Sequence, residues 1–69
     1  MKELNFGERI KVGDRVNIGN KFRFVVHVEE SHCLVKINNR TFIQFPSVYS
    51  EDFKKKDKLD ETSYIVYRD

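Results

Sequence analysis

Sixty-nine residues with a single cysteine make one small domain that no intramolecular disulfide can staple. Charged residues are 35% of the chain, but 13 Lys and Arg nearly cancel 11 Asp and Glu, leaving +2. That balance excludes a polycation, so a positive surface can arise only if the charges segregate.

No apolar run approaches the roughly 18 residues of a membrane span. Residues 1–6 lack the apolar core of a secretory leader. Both points imply a cytoplasmic protein without a membrane partner. A domain this size buries only about 60% of its unfolded surface, so a partner or a second copy would add stability.

In chain order, Val12-Gly13-Asp14-Arg15-Val16-Asn17-Ile18 reads as a turn feeding a strand. Gly-Asp bends the chain, and Val16 and Ile18 alternate with Arg15 and Asn17. Gly19-Asn20 is a second turn signal. Phe22, Phe24, Val26 and Val28 then recur at a period of two, with Arg23, Val25, His27 and Glu29 between them. This predicts a half-buried strand with the first set on one face. Glu30-Ser31 turns the chain onward.

Asn38-Asn39 lies between two apolar, β-branched runs, residues 32–37 and 40–45. Asn tolerates positive φ, so a hairpin with a two-residue type I′ turn is predicted. That register pairs Ile37 with Arg40, Val35 with Phe42 and Leu34 with Ile43. The alternative is a three-residue loop, Asn38-Asn39-Arg40, which gathers Val35, Ile37, Ile43 and Phe45 on one face. Its cost is a left-handed Arg40.

Pro46 ends this strand. Ser50 resembles a helix N-cap, with Glu51 and Asp52 in the first turn and lysines after them. A short helix within residues 51–58 follows, supported by the pairs Glu51–Lys55 and Asp52–Lys56 and pinned by Tyr49 and Phe53. Residues 59–62 link to a closing strand over residues 63–68.

Five short strands in one domain, residues 1–69, predict a mainly β, five-stranded small barrel with a short helix before the last strand. The run Val12-Gly13-Asp14-Arg15-Val16, a long strand and an Asn-containing hairpin resemble small barrels of the Src-homology-3-like type, such as KOW and Tudor-like modules. The resemblance covers residues 10–46. It implies that barrel fold and, by analogy with KOW-like barrels, a nucleic-acid-binding role. The bulky Lys21-Phe22-Arg23-Phe24 departs from the small residues usual in KOW modules, and no Tudor-like aromatic cage carries over.

His27, His32 and Cys33 are the only imidazole and thiol groups, and adjacent His32 and Cys33 point to opposite faces of a strand. No metal site is therefore predicted. Cys33, between His32 and Leu34, reads as a small buried hydrophobe. The three glycines are isolated, so no phosphate-cradling loop, no cofactor and no catalytic residue is predicted.

Basic and aromatic residues together carry the functional expectation. Single-strand binders combine a basic groove with aromatic stacking platforms. Lys21, Arg23, Lys36, Arg40 and Phe42 are the predicted nucleic-acid-binding residues, with Arg23, Lys36 and Arg40 facing outward on neighbouring strands. Phe42 would stack on a base while the cations meet phosphates. The alternative is a protein-binding adaptor or inhibitor that uses exposed strand edges with Phe22 and Phe42 as anchors, or a homo-oligomer.

Overall fold

The computed structural model describes residues 1–54 and 64–69. Within them, six strands form one antiparallel sheet. These are β1 (Lys2–Glu3), β2 (Arg15–Ile18), β3 (Lys21–Val28), β4 (His32–Lys36), β5 (Phe42–Pro46) and β6 (Val66–Arg68). A single helical turn, α1 (Glu51–Lys54), precedes β6. The spatial order is β1-β6-β2-β3-β4-β5.

The mainly β architecture and the helix before the last strand agree with the sequence. The count of five strands does not, because Lys2 and Glu3 pair with Arg68 and Tyr67 as an additional edge strand. Nor does the ladder close into the expected barrel: β1 and β5 are its two edges. Residues 4–10 instead link β6 to the stretch that follows β5. Leu4 N–H donates to Val66 O at 2.9 Å, Gly7 N–H to Tyr49 O at 2.8 Å and Ile10 N–H to Ser47 O at 2.8 Å. Arg9 and Val48 add one isolated bridge.

The type I′ turn sits at Gly19-Asn20 and not at Asn38-Asn39. Gly19 and Asn20 have φ of 61° and 63°, and Ile18 pairs with Lys21 across them. Two successive positive φ values suit the right-handed twist of the flanking strands. The β4–β5 connection is the three-residue loop Asn38-Asn39-Arg40, with Val35 opposite Ile43 and Lys36 opposite Phe42. Arg40 avoids the left-handed region, since Asn20 is the only non-glycine with positive φ among the described residues. The Asn38 side chain makes this affordable: its Oδ1 accepts from Arg40 N–H at 2.9 Å and Thr41 N–H at 3.0 Å.

The facing of β3 is the reverse of a buried Phe22/Phe24 stripe. Val25 is buried, whereas Phe22, Phe24 and Val26 are exposed. The cause is register. The Gly19-Asn20 turn sets Phe22 beside Asn17 and Phe24 beside Arg15, and sets Arg23 beside the buried Val16. A one-residue change of register moves every side chain to the other face. The strict period also breaks at a bulge between Val25 and His27, which returns Val28 to the core side.

The core joins Val16, Val25, Cys33, Val35, Phe45 and Val66 from the sheet to Leu4, Ile10, Tyr49, Phe53 and Tyr64. Phe45 stacks on Phe53 at 4.6 Å between centroids and meets Tyr64 edge-on at 5.1 Å. Each such ring pair adds about 0.5–1.5 kcal/mol beyond burial. Tyr49 and Phe53 thus pin α1 as the sequence suggests, and Lys54 N–H donates to Ser50 O at 3.3 Å. The predicted extension of the helix to residue 58, its two ion pairs and the linker at residues 59–62 lie outside the described residues. β6 begins at Val66, later than the predicted start at residue 63, which also lies outside them.

Candidate functional site on the solvent face of the sheet

One sheet face covers the core, so the alternate residues of β2–β6 meet water. With Val16, Val25, Val35 and Val66 inward, their neighbours Arg15, Phe24, Lys36 and Tyr67 turn outward. Register places Tyr67 beside Arg15, Arg15 beside Phe24, and Lys36 beside Phe42. Because Val25 pairs with Val35, Phe24 also neighbours Lys36. A row Tyr67-Arg15-Phe24-Lys36-Phe42 therefore crosses five strands, alternating ring and cation.

The rings are open to solvent. Phe22 is 49% exposed, Phe24 50% and Phe42 47%. Phe22 meets Tyr67 edge-on at 5.5 Å. The Arg15 guanidinium lies 5.1 Å from the Phe24 ring centroid, while its NH1 donates to Asp69 Oδ1 at 2.6 Å. That hydrogen bond, with the charge of Asp69, pushes the Arg15 pKa up and holds the Asp69 carboxyl below its ordinary range. Phe42 makes no ring or cation contact among the described residues.

The charges do segregate along the strands. The β2–β3 turn and the β4–β5 loop lie at one end of the sheet, and Lys21, Arg23, Lys36 and Arg40 lie there with them. Glu29 and Glu30 sit at the opposite end of β3 and β4, and Asp14 and Asp69 at the opposite end of β2 and β6.

All five predicted residues thus reach the same end, but not the same face. Lys36 and Phe42 share the outer row, and Arg40 is exposed in the loop beside it. Lys21 and Arg23 alternate with Val25 and take the core side. The expected outward Arg23 is therefore corrected. It is half-buried, its NH1 donates to Ile37 O at 2.8 Å, and its Nε is buried without a partner. The turn at Gly19-Asn20 sets this facing and also turns Phe22 and Phe24 outward, whereas Arg15 and Tyr67 come together only through the pairing of β2 with β6; none of the four is among the predicted nucleic-acid-binding residues.

Beyond the row, the outer face carries His27 opposite Leu34. His27 Nε2 lies 3.0 Å from Glu29 Oε1, and His32 Nε2 lies 3.8 Å from Glu29 Oε2. The His27 hydrogen bond, then the charges of His32 and His27, hold the Glu29 carboxyl below its ordinary value. No group of three His, Cys, Asp or Glu among the described residues is arranged to hold a metal ion. Cys33 is fully buried, its thiol donates to Pro46 O at 3.6 Å, and burial pushes its pKa up to about 11. A protonated, enclosed thiol is a poor nucleophile.

No helix among the described residues is long and apolar enough to cross a membrane. No family model matches the chain, and no curated protein or solved structure matches it.

Proposed function

We propose that this chain is a non-enzymatic binding module of the cytoplasm that contacts nucleic acid through the outer face of its sheet. The observation that carries this reading is the pair of half-exposed rings Phe24 and Phe42 interleaved with Arg15 and Lys36, with half-exposed Phe22 beside Tyr67. Rings stack on bases and cations meet phosphates, and this pairing on an open β surface suits nucleic acid. Lys21 and Arg40 at the same end of the sheet extend the positive field, and Arg23 strengthens it from the inner side. The hydrogen bonds of residues 4–10 to Val66 and to Ser47 and Tyr49, just past β5, support reading the sheet as a small barrel of the Src-homology-3-like type.

Titration with labelled oligonucleotides at low salt tests the proposal. Binding that weakens with salt, and a shallower salt dependence in Lys36→Ala with Arg40→Ala, is the expected result. Undetectable binding at low salt removes the reading.

A second reading draws on the same rings. Exposed aromatic and Arg side chains also anchor protein interfaces, and β1 and β5 are the edges of the sheet. A protein partner or a second copy would then sit on Phe22 and Phe42. Recovery of one partner in a salt-resistant complex favours it, and light scattering reports self-association.

A further inference from the structure

We infer that the ligand of the outer face is single-stranded, lying across the strands along the Tyr67-to-Phe42 row; this rests on the nucleic-acid reading above. Three observations converge on it.

The first is what the rings need. Phe24 and Phe42 flank Lys36, and each is about half exposed on a sheet surface. A ring in that setting gains by stacking on the flat face of a base. In a duplex those faces are hidden within the base stack, and only edges and phosphates meet the protein.

The second is the shortage of free cations. Lys36 on the outer face and Arg40 in the loop beside it are exposed and make no ion pair among the described residues, while Arg15 is held by Asp69 and Lys21 lies on the core side. Two phosphate contacts yield a log–log salt slope of only about −1.4 on a single strand. Duplex binding that rests on phosphates alone needs more, so stacking has to supply the affinity.

The third is shape. The row sits on the surface of β6, β2, β3, β4 and β5, spanning about 19 Å at about 4.8 Å per strand. The major groove of a duplex admits a helix or a two-stranded ribbon, and a broad sheet face enters neither groove. A flexible single strand can drape over that row and alternate base and phosphate as the row alternates ring and cation.

Fluorescence anisotropy on the full chain tests this. The probes are labelled oligothymidylate and oligouridylate of about eight nucleotides, within the site sizes of small β folds, and a duplex of the same length. The single strands bind at least about tenfold tighter than the duplex. Phe24→Ala and Phe42→Ala each weaken binding about tenfold and leave the salt slope unchanged. Phe42→Leu behaves like Phe42→Ala, because it keeps apolar bulk and loses the ring face. Lys36→Ala shallows the slope by about 0.7.

Equal binding of duplex and single strand overturns the inference while the nucleic-acid reading stands. So does parental affinity in the ring variants, with their folding checked by circular dichroism. If no oligonucleotide binds at low salt, both readings fall. Ring variants that turn a dimeric parent into a monomer would then assign the face to a second copy.

Discussion

Arg68 grips Asp14 through two parallel hydrogen bonds, Nε to Oδ1 and NH2 to Oδ2, each 2.8 Å long. Asp14 is only 2% exposed. Its Oδ2 also accepts from Lys11 N–H at 2.8 Å, and Arg68 NH2 donates to Arg9 O at 2.9 Å. The pair thus ties the last strand to the turn before β2 and to the backbone of Arg9. A fork of this kind is geometrically specific.

Asp14→Ala leaves the guanidinium without its carboxylate and the Lys11 amide without its acceptor. Removing one partner of a buried pair costs about 3–5 kcal/mol, and the partial exposure of Arg68 lowers this to about 2–3. Urea denaturation followed by circular dichroism measures it. Arg68→Lys recovers only part of the loss, because an ammonium cannot form the fork. An unchanged urea midpoint in Asp14→Ala contradicts the role given to this pair.

The inverted facing of β3 makes a second prediction. Val25→Ala, in the core, costs about 2 kcal/mol, whereas Phe24→Ala and Phe22→Ala cost under about 1. A larger loss at Phe24 than at Val25 in thermal melts would mean that the phenylalanines form the core.

These positions also measure what was legible in the chain. Alternation along β3 correctly sorted Phe22 and Phe24 from Arg23 and Val25, but it does not say which set faces inward. That choice depends on partners distant in sequence, chiefly Val16 and Val35. Cys33 as a buried hydrophobe, the bend at Gly13-Asp14 and the anchoring by Tyr49 and Phe53 were readable because each is local. At the hairpin the three-residue alternative prevails over the two-residue turn, because the Asn38 side chain accepts from Arg40 and Thr41 N–H in addition to the Asn38–Thr41 backbone bonds. The Asp14–Arg68 pair joins residues 54 positions apart, and nothing local announces it. Within the candidate site, Lys36 and Phe42 could be seen from their places on neighbouring strands. Arg15 and Tyr67 could not, since β2 and β6 meet only in the folded sheet.

The buried Cys33 thiol predicts a pH effect on the alkaline side. Burial raises its pKa from 9.0 to about 11, so the fold favours the protonated form. The contribution is complete below pH 9 and is lost as the pH rises from 9 through 11, by up to about 2–3 kcal/mol. Cys33→Ala loses this part of the alkaline decline. Native protein also resists a thiol reagent that labels the denatured chain. Rapid labelling of the folded protein contradicts the enclosure of Cys33.

Glu29 predicts an effect on the acid side. Its folded pKa is depressed, first by the His27 hydrogen bond and then by the charges of His32 and His27. The stabilisation it brings is present above its ordinary value of 4.5 and is lost as the pH falls through the lower folded value. Carboxyl-carbon titration by NMR follows it. His27→Ala moves the Glu29 midpoint upward, and a midpoint that stays put would show that His27 does not hold the carboxylate.

The central claim is that the ring-and-cation row on the outer face is the recognition surface. Titrating isotope-labelled protein with an unlabelled single-stranded oligonucleotide, and mapping the amide shifts, tests it most directly. The account predicts changes gathered at Phe22, Phe24, Lys36, Arg40, Phe42 and Tyr67, with β1 and α1 unmoved. Shifts confined to β1 and α1, or no shifts at low salt, would contradict it.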